Sequence, residues 1–435
     1  MKILIKNGNI IDPSQGIDGI GDVLIENGKI KEVGIKGKDQ NARSKEQKSG
    51  AESAELRIID AKGFKVFPGL IDMHAHLREP GFEYKETIKT GTTAAIRGGF
   101  TTVCCMPNTF PVNDNASVTE FIKRKASQEG CCSVLPIGAI TKGQKGEELA
   151  EIGTMRNEGC IAFSDDGQPV MNSLIMRRAL EYSKAFNVPI ISHCEDLTLS
   201  EDGVMNEGLL SLTLGLKGIP AEAEQIMIFR DILLAELTGG KLHIAHVSTE
   251  GSVNLIRHAK ERGAHVTAET CPHYFNLTEE AVKGYNTNAK VNPPLRTARD
   301  IEAIKAGLRD GSIDVIATDH APHHRDEKRR EFDMAPFGIS GLDTALSLSL
   351  KLVKEGVLTL IQLIEKMAWN PARILGIDRG TLKIGSDADV VIVDENKEYK
   401  VEPDRFISQG KNTPFAGWLL EGMPVLTIYK GKIHE

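Results

Sequence analysis

Two histidines separated by a single residue follow an apolar stretch early in the chain. His74 and His76 come directly after residues 68–73, and side chains spaced in this way lie on the same face of an extended segment. Other apolar runs also end in residues that bind metal ions, namely Asp165 and Asp166, His193, His246 and Asp319. Four histidines together with two carboxylates, Asp319 and one of the adjacent aspartates, suit a pair of borderline ions such as Zn²⁺, each with an open position for water. The predicted chemistry is metal-assisted hydrolysis or its reverse.

These residues must be positioned by the elements that precede them. Between residues 65 and 375 the sequence alternates helical stretches with short apolar runs, which cover residues 66–73, 101–105, 133–139, 160–163, 188–192, 242–245, 265–269 and 314–317. Eight such runs predict an α/β fold of the (β/α)₈, TIM-like barrel type. Active sites of these barrels lie at the C-terminal ends of the strands, so residues far apart in sequence converge there.

Both ends of the chain differ from this α/β middle, because they contain short β-like runs separated by turn signals. Asn27 and Gly28 form a strong hairpin signal among them. We predict that residues 1–67 and 376–435 form one composite β-sandwich domain beside a catalytic barrel domain of residues 68–375. Residues 36–55 contain no large apolar side chain, which predicts a solvated insertion.

The composition restricts the class of partner. The chain has 435 residues, with 53 Lys or Arg and 60 Asp or Glu, so its formal net charge is −7. This mild acidity gives no electrostatic footprint for nucleic acid or for an anionic membrane, and we expect a small-molecule substrate. No apolar run approaches the ~20 residues of a membrane span, and the first residues contain too short an apolar stretch for a signal peptide. A cytoplasmic location is therefore expected.

The motifs around the candidate ligands are specific enough to resemble a known family. They are Pro-Gly-Leu-Ile-Asp-Met-His-Ala-His-Leu-Arg-Glu-Pro-Gly (68–81), Cys-Met-Pro-Asn-Thr (105–109), Phe-Ser-Asp-Asp-Gly (163–167), Ser-His-Cys-Glu (192–195), Ala-His-Val-Ser (245–248), Glu-Thr-Cys-Pro-His-Tyr (269–274), Lys-Val-Asn-Pro-Pro-Leu-Arg (290–296) and Ala-Thr-Asp-His-Ala-Pro-His (317–323). The chain resembles the amidohydrolase superfamily and, within it, the bacterial type I dihydroorotases. The resemblance extends from about residue 2 to the C-terminus, with an interruption at residues 36–55.

The resemblance implies two Zn²⁺ ions per subunit, held by the four histidines. His74 and His76 would bind one ion, and His193 and His246 would bind the other.

The resemblance also gives roles to the aspartates. Asp166 would bridge both ions, and Asp319 would bind the first ion and act as the catalytic proton shuttle. Many relatives bridge their ions with a carboxylated lysine, but the fourth run ends here in Phe-Ser-Asp-Asp, so an aspartate bridge follows. Asp166 matches the ligand position of the family, whereas Asp165 points to the other side of an extended backbone.

A second group of residues suits the binding of a substrate carboxylate. The guanidinium group of Arg78 has a planar fork that matches a carboxylate, and Asn108 can donate a hydrogen bond alongside it. Dihydroorotate carries such a carboxylate. The resemblance adds further substrate-binding groups, namely His76, Asn292, His323 and the backbone of Phe337 and Gly338.

The resemblance therefore implies a dihydroorotase, a cyclic amide hydrolase that reversibly converts N-carbamoyl-L-aspartate into dihydroorotate and water in pyrimidine biosynthesis. One alternative is a hydantoinase or allantoinase on the same scaffold, against which the aspartate bridge and the pair Arg78 and Asn108 argue. Another is a non-catalytic subunit for aspartate transcarbamoylase, against which the complete set of metal ligands argues. We expect a homo-oligomer, and aspartate transcarbamoylase stays open as a partner.

Two further features are left open by the sequence. Residues 324–334 are charged and loop-like, which fits either a mobile lid or a solvated surface loop. Among the remaining histidines, His243, His258, His265 and His434 are expected to be ordinary hydrogen-bonded core or surface residues, whereas the roles of His273, His320 and His324 stay undecided.

Overall fold

The computed structural model describes residues 2–36 and 56–434. The predicted insertion at residues 36–55 lies outside the described residues, apart from residue 36. In chain order the strands are β1 (Lys2–Asp12), β2 (Ile17–Glu26), β3 (Lys29–Ile35), β4 (Leu56–Asp60), β5 (Lys65–Pro68), β6 (Leu70–Ala75), β7 (Phe100–Cys105), β8 (Ser133–Gly138), β9 (Ala162–Ser164), β10 (Ile190–Ser192), β11 (Met205–Asn206), β12 (Gly218–Ile219), β13 (Leu242–Ile244), β14 (Val266–Thr270), β15 (Val315–Ile316), β16 (Val390–Lys400), β17 (Leu419–Tyr429) and β18 (Lys432–His434).

The helices lie mainly between the strands of the middle of the chain. They are α1 (Ile88–Arg97), α2 (Ala116–Glu129), α3 (Ile152–Glu158), α4 (Ser173–Ser183), α5 (Leu197–Ser200), α6 (Leu209–Leu214), α7 (Glu222–Thr238), α8 (Glu250–Glu261), α9 (Pro272–Asn276), α10 (Ala298–Asp310), α11 (Arg325–Lys328), α12 (Ala345–Lys354), α13 (Leu360–Ile364) and α14 (Asn370–Leu375). Side-chain caps define the start of several of them; Thr87 accepts a hydrogen bond from the backbone of α1, and Thr249 from that of α8.

Eight parallel strands form the sheet that the alternating pattern predicts. Their order is β6, β7, β8, β9, β10, β13, β14 and β15, so neighbours in the sheet follow the order of the chain. The two outer strands approach each other, because Ala75 pairs in parallel with His320 and the backbone N–H of His76 donates to the carbonyl of His320 at 2.8 Å. The sheet is therefore nearly closed into a barrel, and the predicted fold class is confirmed.

The first predicted run, residues 66–73, divides into two strands. β5 pairs antiparallel with β16, whereas β6 pairs with β7 in the barrel sheet. The division lies at Gly69, where a Cβ atom would come within 2.1 Å of the Thr101 hydroxyl. A side chain at this point would prevent the close approach of the two strands, so the chain passes from one sheet to the other at a glycine.

The two chain ends form one separate sheet of eight strands. Its order is β18, β17, β16, β5, β1, β2 and β3, and β4 pairs with β1. The pairing of β5 with β16 joins the N-terminal strands to the C-terminal ones, as the sequence predicts. β2 and β3 form the predicted hairpin, with Asn27 and Gly28 at φ 52° and 75°, the left-handed conformation that a tight hairpin turn requires.

Buried Asp12 links these two ends at the last residue of β1. Its carboxylate accepts hydrogen bonds from the backbone N–H of Ser14 at 2.9 Å, from that of Leu382 at 2.7 Å and from the Gln15 side chain at 2.7 Å. One carboxylate thus satisfies donors from both ends of the chain.

Within residues 2–36 and 56–434, no helix has both the length and the apolar character that a membrane crossing requires.

The Asp12→Ala variant is expected to lower the free energy of unfolding by about 1.5–3 kcal/mol, the usual contribution of hydrogen bonds to a charged group, because it leaves buried N–H groups without an acceptor. Urea denaturation followed by circular dichroism measures this change. Asp18→Ala is the matched control, since Asp18 is exposed on β2. Equal denaturation midpoints for the two variants would contradict the structural role of Asp12.

Candidate metal centre

The six predicted metal ligands converge at the C-terminal ends of the barrel strands. His74 is the penultimate residue of β6, and the others follow a strand within three residues: His76 after β6, Asp166 after β9, His193 after β10, His246 after β13 and Asp319 after β15. All six side chains are buried, with at most 5% of each residue exposed. Residues that are up to 245 positions apart in the chain therefore form one cluster, as barrel topology predicts.

Two sets of three ligand atoms within this cluster lie close enough to share a metal ion. His74, His76 and Asp319 form one set, and His74, Asp166 and His246 form the other, with all ligand atoms of a set within 4.8 Å of one another. His74 belongs to both sets. One imidazole nitrogen cannot bind two ions at once, so the two sets are overlapping candidates for a metal ion rather than two complete sites, and His193 belongs to neither set.

Asp166 lies at the centre of the cluster and contacts all four histidines. Its Oδ1 atom is 3.3 Å from Nε2 of His74, 3.3 Å from Nε2 of His246 and 3.7 Å from Nδ1 of His193, and its Oδ2 atom is 3.3 Å from Nε2 of His76. A carboxylate in this position can offer one oxygen to each of two ions.

The adjacent Asp165 has a different function. Its carboxylate accepts hydrogen bonds from the backbone N–H of Ile140 at 2.7 Å and from that of Thr141 at 3.1 Å, as well as from the Thr141 hydroxyl. Asp165 thus holds the loop after β8, and the structure brings only Asp166 of this pair into contact with the histidines.

Three of the histidines are oriented by acceptors that lie outside the cluster. The Nδ1 atom of His74 is 2.6 Å from the Glu269 carboxylate, and the Nε2 atom of His193 is 3.1 Å from that of Glu195. The Nδ1 atom of His76 is 2.8 Å from the Asn108 side-chain oxygen. An acceptor on one ring nitrogen leaves the other free to bind metal, which is the usual second layer of a metal site.

The donor set fits metal ions. The buried Nε2 atom of His74 has no hydrogen-bond partner among the described residues, although it lies 3.3 Å and 3.4 Å from the Asp166 and Asp319 carboxylates. Buried polar atoms normally have a hydrogen-bond partner or a ligand. A metal ion between Nε2 of His74 and the two carboxylates would bind the nitrogen lone pair and both carboxylates. Imidazole nitrogens and carboxylate oxygens are ligands that Zn²⁺ accepts.

The electrostatics of the cluster favour positive charge at its centre. In the metal-free cluster, burial raises the pKa of Asp166, but the charge of protonated His74 and hydrogen bonds from His193 and His246 outweigh burial and hold this pKa well below its usual range. Burial lowers the pKa of His193, yet hydrogen bonds to Asp166 and Glu195 raise it to about 10. The carboxylates thus attract whatever cation can approach them.

The predicted substrate-binding residues lie on loops around the cluster and are linked to it or to one another. Asn108 contacts His76, and the side-chain amide of Asn292 donates to Glu195 at 2.8 Å. The Nε atom of Arg78 donates to the carbonyl of Pro322 at 3.2 Å, and its Nη2 atom is 3.4 Å from Nε2 of His323. The same His323 nitrogen lies 2.8 Å from the carbonyl of Phe337, next to Gly338.

The charged segment 324–334 is anchored rather than fully solvated. The buried Lys328 ammonium group donates to the carbonyls of Thr287, Lys290 and Pro336 at 2.9, 3.3 and 2.8 Å. Phe332 is buried as well, and its carbonyl accepts a hydrogen bond from Lys290 at 2.7 Å. The segment therefore has a fixed inner side next to the loop that carries Phe337 and an exposed outer side.

Asn412 holds the same loops from the C-terminal part of the chain. Its side-chain nitrogen donates to the carbonyls of Ala321 and Gly338 at 3.0 and 2.9 Å. Its oxygen accepts hydrogen bonds from the backbone N–H of His323 at 2.9 Å and from the Ser340 hydroxyl at 2.9 Å. A buried residue between β16 and β17 thus holds these loops together, although no motif in the sequence indicates it.

Sequence reasoning also missed the carboxylates that orient the histidines. Glu269 lies near the end of β14, and Glu195 follows His193 by two residues. The signal that could have found them is an acidic residue inside or directly after an otherwise apolar strand. His243, expected to be a core or surface residue, is fully buried and contacts Glu269, and His320, whose role was left undecided, contacts buried Glu86.

Comparison with known proteins identifies relatives along the whole chain. A family model described as dihydro-orotase-like matches residues 63–252. The chain is 57% identical to the dihydroorotase of Geobacter metallireducens and 54% identical to that of Syntrophus aciditrophicus, each over 433 residues that cover 100% of this chain and 99% of the relative. The dihydroorotase of Geobacter sulfurreducens is 58% identical with the same coverage.

Solved structures of similar fold include cyclic amidases. An L-hydantoinase from Arthrobacter aurescens superimposes with a TM-score of 0.86 at 27% identity and covers 99% of this chain and 95% of its own. A D-hydantoinase gives a TM-score of 0.83 at 26% identity, with coverage of 100% and 95%. Both superpositions extend over almost the whole chain, with lower sequence identity than the relatives named above.

The His193→Ala variant is expected to bind less metal per chain, because it removes one of the four imidazoles around Asp166. The measurement is metal content by plasma mass spectrometry after incubation with zinc and desalting. His258→Ala is the matched control, since His258 is exposed on α8, and it should keep the wild-type content. Wild-type metal content in His193→Ala would exclude His193 as a ligand.

Proposed function

The chain belongs to the dihydroorotase family, and from this premise we propose that its buried histidine and aspartate cluster is the site at which dihydroorotate is hydrolysed and N-carbamoyl-L-aspartate is cyclised. The observation that carries the proposal is 57% identity over the whole chain to a dihydroorotase, against 27% to an L-hydantoinase of similar fold. The chain is accordingly a cyclic amide hydrolase with a small-molecule substrate, and its reaction belongs to pyrimidine biosynthesis.

We assign two Zn²⁺ ions to this site in each chain. His74 and His76 would hold one ion together with Asp319, and His193 and His246 would hold the other. Asp166 would bridge the two ions, which is supported by its contacts with all four histidines. When bound, the ions supply an activated water and polarise the amide carbonyl that is cleaved.

Asp319 is the proposed proton carrier of the reaction. Its Oδ1 atom is 3.2 Å from Nε2 of His76, and its carboxylate is buried at the mouth of the barrel. Burial raises the pKa of Asp319, but the charge of His74 and a hydrogen bond from His76 outweigh this effect and lower it. The carboxylate is therefore ionised at neutral pH, where it can take a proton from the attacking water and pass it to the leaving ring nitrogen.

Arg78 and Asn108 are the proposed clamp for the substrate carboxylate. The Arg78 guanidinium group is half-buried beside the cluster, and one edge of it already donates to Pro322. Its remaining N–H groups can donate to a carboxylate, and burial strengthens this contact by excluding water. The hydantoin ring itself carries no carboxylate, so this clamp is the proposed source of specificity for dihydroorotate.

The rest of the substrate shell would contact the ring. Asn292 and His323 contribute side chains, and Phe337 and Gly338 contribute backbone groups. The fixed inner side of segment 324–334 supports this assignment, because it holds the loop that carries Phe337. All proposed site residues fall within the proposed catalytic unit, residues 68–375, and residues 1–67 and 376–435 form the proposed second unit.

The quaternary structure stays a prediction from the sequence. We expect copies of this chain to form a homo-oligomer. An association with aspartate transcarbamoylase is also consistent with the reaction, because the product of that enzyme is the substrate for ring closure. Size-exclusion chromatography of the chain alone and with that enzyme measures both associations.

The Asp319→Asn variant should lower kcat for dihydroorotate hydrolysis by about 10²–10⁴-fold, the usual contribution of general acid–base catalysis. Zinc content should fall much less, because the amide oxygen can still bind a metal but cannot take up and return a proton. Parallel kinetic and metal measurements separate the two effects. If the variant loses zinc to the same extent as it loses activity, Asp319 acts only as a metal ligand and not as the proton carrier.

Hydrolysis of dihydroorotate by the purified zinc-loaded chain is the direct test of the proposed function, and Arg78→Lys tests its specificity. The variant keeps the positive charge but loses the fork, so KM for dihydroorotate should rise about 10-fold or more, with less effect on dihydrouracil, which lacks the carboxylate. Steady-state kinetics with both substrates measures this difference.

Arg97→Lys is the control for this experiment, since Arg97 is exposed at the end of α1 and should leave both KM values unchanged. Equal effects of Arg78→Lys on the two substrates would exclude Arg78 as the carboxylate clamp. A wild-type chain that hydrolyses hydantoin faster than dihydroorotate would overturn the proposed function itself.

A further inference from the structure

A chain of polar side chains runs through the interior of the barrel from the proposed zinc site to half-buried Thr267. The Nδ1 atom of His74 is 2.6 Å from Oε1 of Glu269, and the Nε2 atom of His243 is 3.2 Å from Oε2 of the same carboxylate. The Nδ1 atom of His243 is in turn 2.8 Å from the Thr267 hydroxyl. His74, Glu269 and His243 have no solvent exposure.

The strand pattern explains why these residues face one another. On β13, Leu242 and Ile244 belong to the large core cluster outside the barrel, so His243 between them points to the interior. On β14, Val266 and Ala268 belong to the same outer cluster, so Thr267 and Glu269 point inward. Three polar residues at inward positions, among apolar neighbours, are costly unless they satisfy one another.

The acceptors in the chain determine where each proton lies. The buried Glu269 carboxylate can only accept, so His74 donates from Nδ1 and His243 donates from Nε2. The Nδ1 atom of His243 then carries a lone pair and accepts a hydrogen bond from the Thr267 hydroxyl. With Nδ1 protonated, His74 presents the lone pair of Nε2 to the cluster, which is the form that a metal ion requires.

We propose that His243 and Thr267 are positioning residues of the metal centre, which act on His74 through Glu269. His243 supplies the donor that holds the second oxygen of Glu269, and Thr267 holds the ring of His243. The far end of the chain of side chains lies at Thr267, which lines a cavity of about 310 Å³ together with Lys241 at the N-terminal ends of the strands. The arrangement thus extends the metal site to the opposite end of the barrel.

This inference rests on the proposed zinc site but goes beyond the residues assigned to it. A role limited to packing predicts that variants of His243 change stability alone. A positioning role predicts that they change zinc affinity, in proportion to the loss of the hydrogen bond to Glu269. The two roles are therefore distinguished by measurements on the chain without substrate.

The experiment measures the zinc dissociation constant by competition with a chelator, and the thermal midpoint of the metal-free chain. His243→Leu should weaken zinc binding by up to about 10-fold, the lower end of the usual effect of losing a direct partner of a metal ligand, because His243 acts on His74 through Glu269. His243→Gln should restore most of the affinity, because its amide nitrogen can donate to Glu269 in place of Nε2. Thr267→Val should weaken binding by less than His243→Leu.

Two comparisons make the test decisive. Thr119→Val is the matched control, since Thr119 is a buried threonine that donates to Asn113 outside this chain of side chains, and it should keep the wild-type zinc affinity. His243→Leu added to Glu269→Gln should weaken binding little further, because the two side chains act through one contact.

Wild-type zinc affinity in His243→Leu, or equal weakening by His243→Leu and His243→Gln, would overturn the proposal. If His243→Leu does not fold, the comparison of Thr267→Val with Thr119→Val decides it, and equal zinc affinity in these two variants would overturn it. A wild-type chain that binds no zinc would instead refute the proposed metal site.

Discussion

The structure depends on one unfavourable arrangement, two carboxylates buried among four imidazoles at the mouth of a barrel. Removal of Asp166 and Asp319 from water is costly, and the cost is offset only if positive charge lies between them and the histidine nitrogens. The second layer follows from this constraint, because Glu269, Glu195 and Asn108 each hold one ring nitrogen so that the other faces the centre. The barrel supplies what this arrangement needs, namely rigid strand ends that meet at one point.

Much of the fold could be predicted because its signals are local. Each barrel strand is an apolar run followed by a helical stretch, and the ligand types at the ends of five runs indicated where the runs converge. The division of the first run could not be predicted, since it depends on the approach of Gly69 to Thr101 in the next strand. The role of Glu269 was also hidden, because its partner His74 lies 195 residues away and an acidic residue in a strand more often faces solvent.

The loops around the site are held by buried lysine side chains rather than by an apolar core. Lys328 and Lys290 are buried, and their ammonium groups donate to backbone carbonyls. Burial lowers the pKa of Lys328 to about 7, and the nearby charge of Lys290 acts in the same direction. A charged residue is usually expected at the surface, so the interpretation of 324–334 as a lid or a surface loop left out its buried inner side.

The position of Asn412 has a consequence for the synthesis of the chain. The barrel and all of its proposed catalytic residues are encoded before residue 376, but the loops that carry His323 and Gly338 are held by a side chain that is translated much later. Strand β5 likewise finds its partner β16 only when the C-terminal part has been made. The loops of the proposed substrate pocket therefore reach their final positions only when the C-terminal part of the chain is in place, and catalytic competence becomes a property of the complete polypeptide.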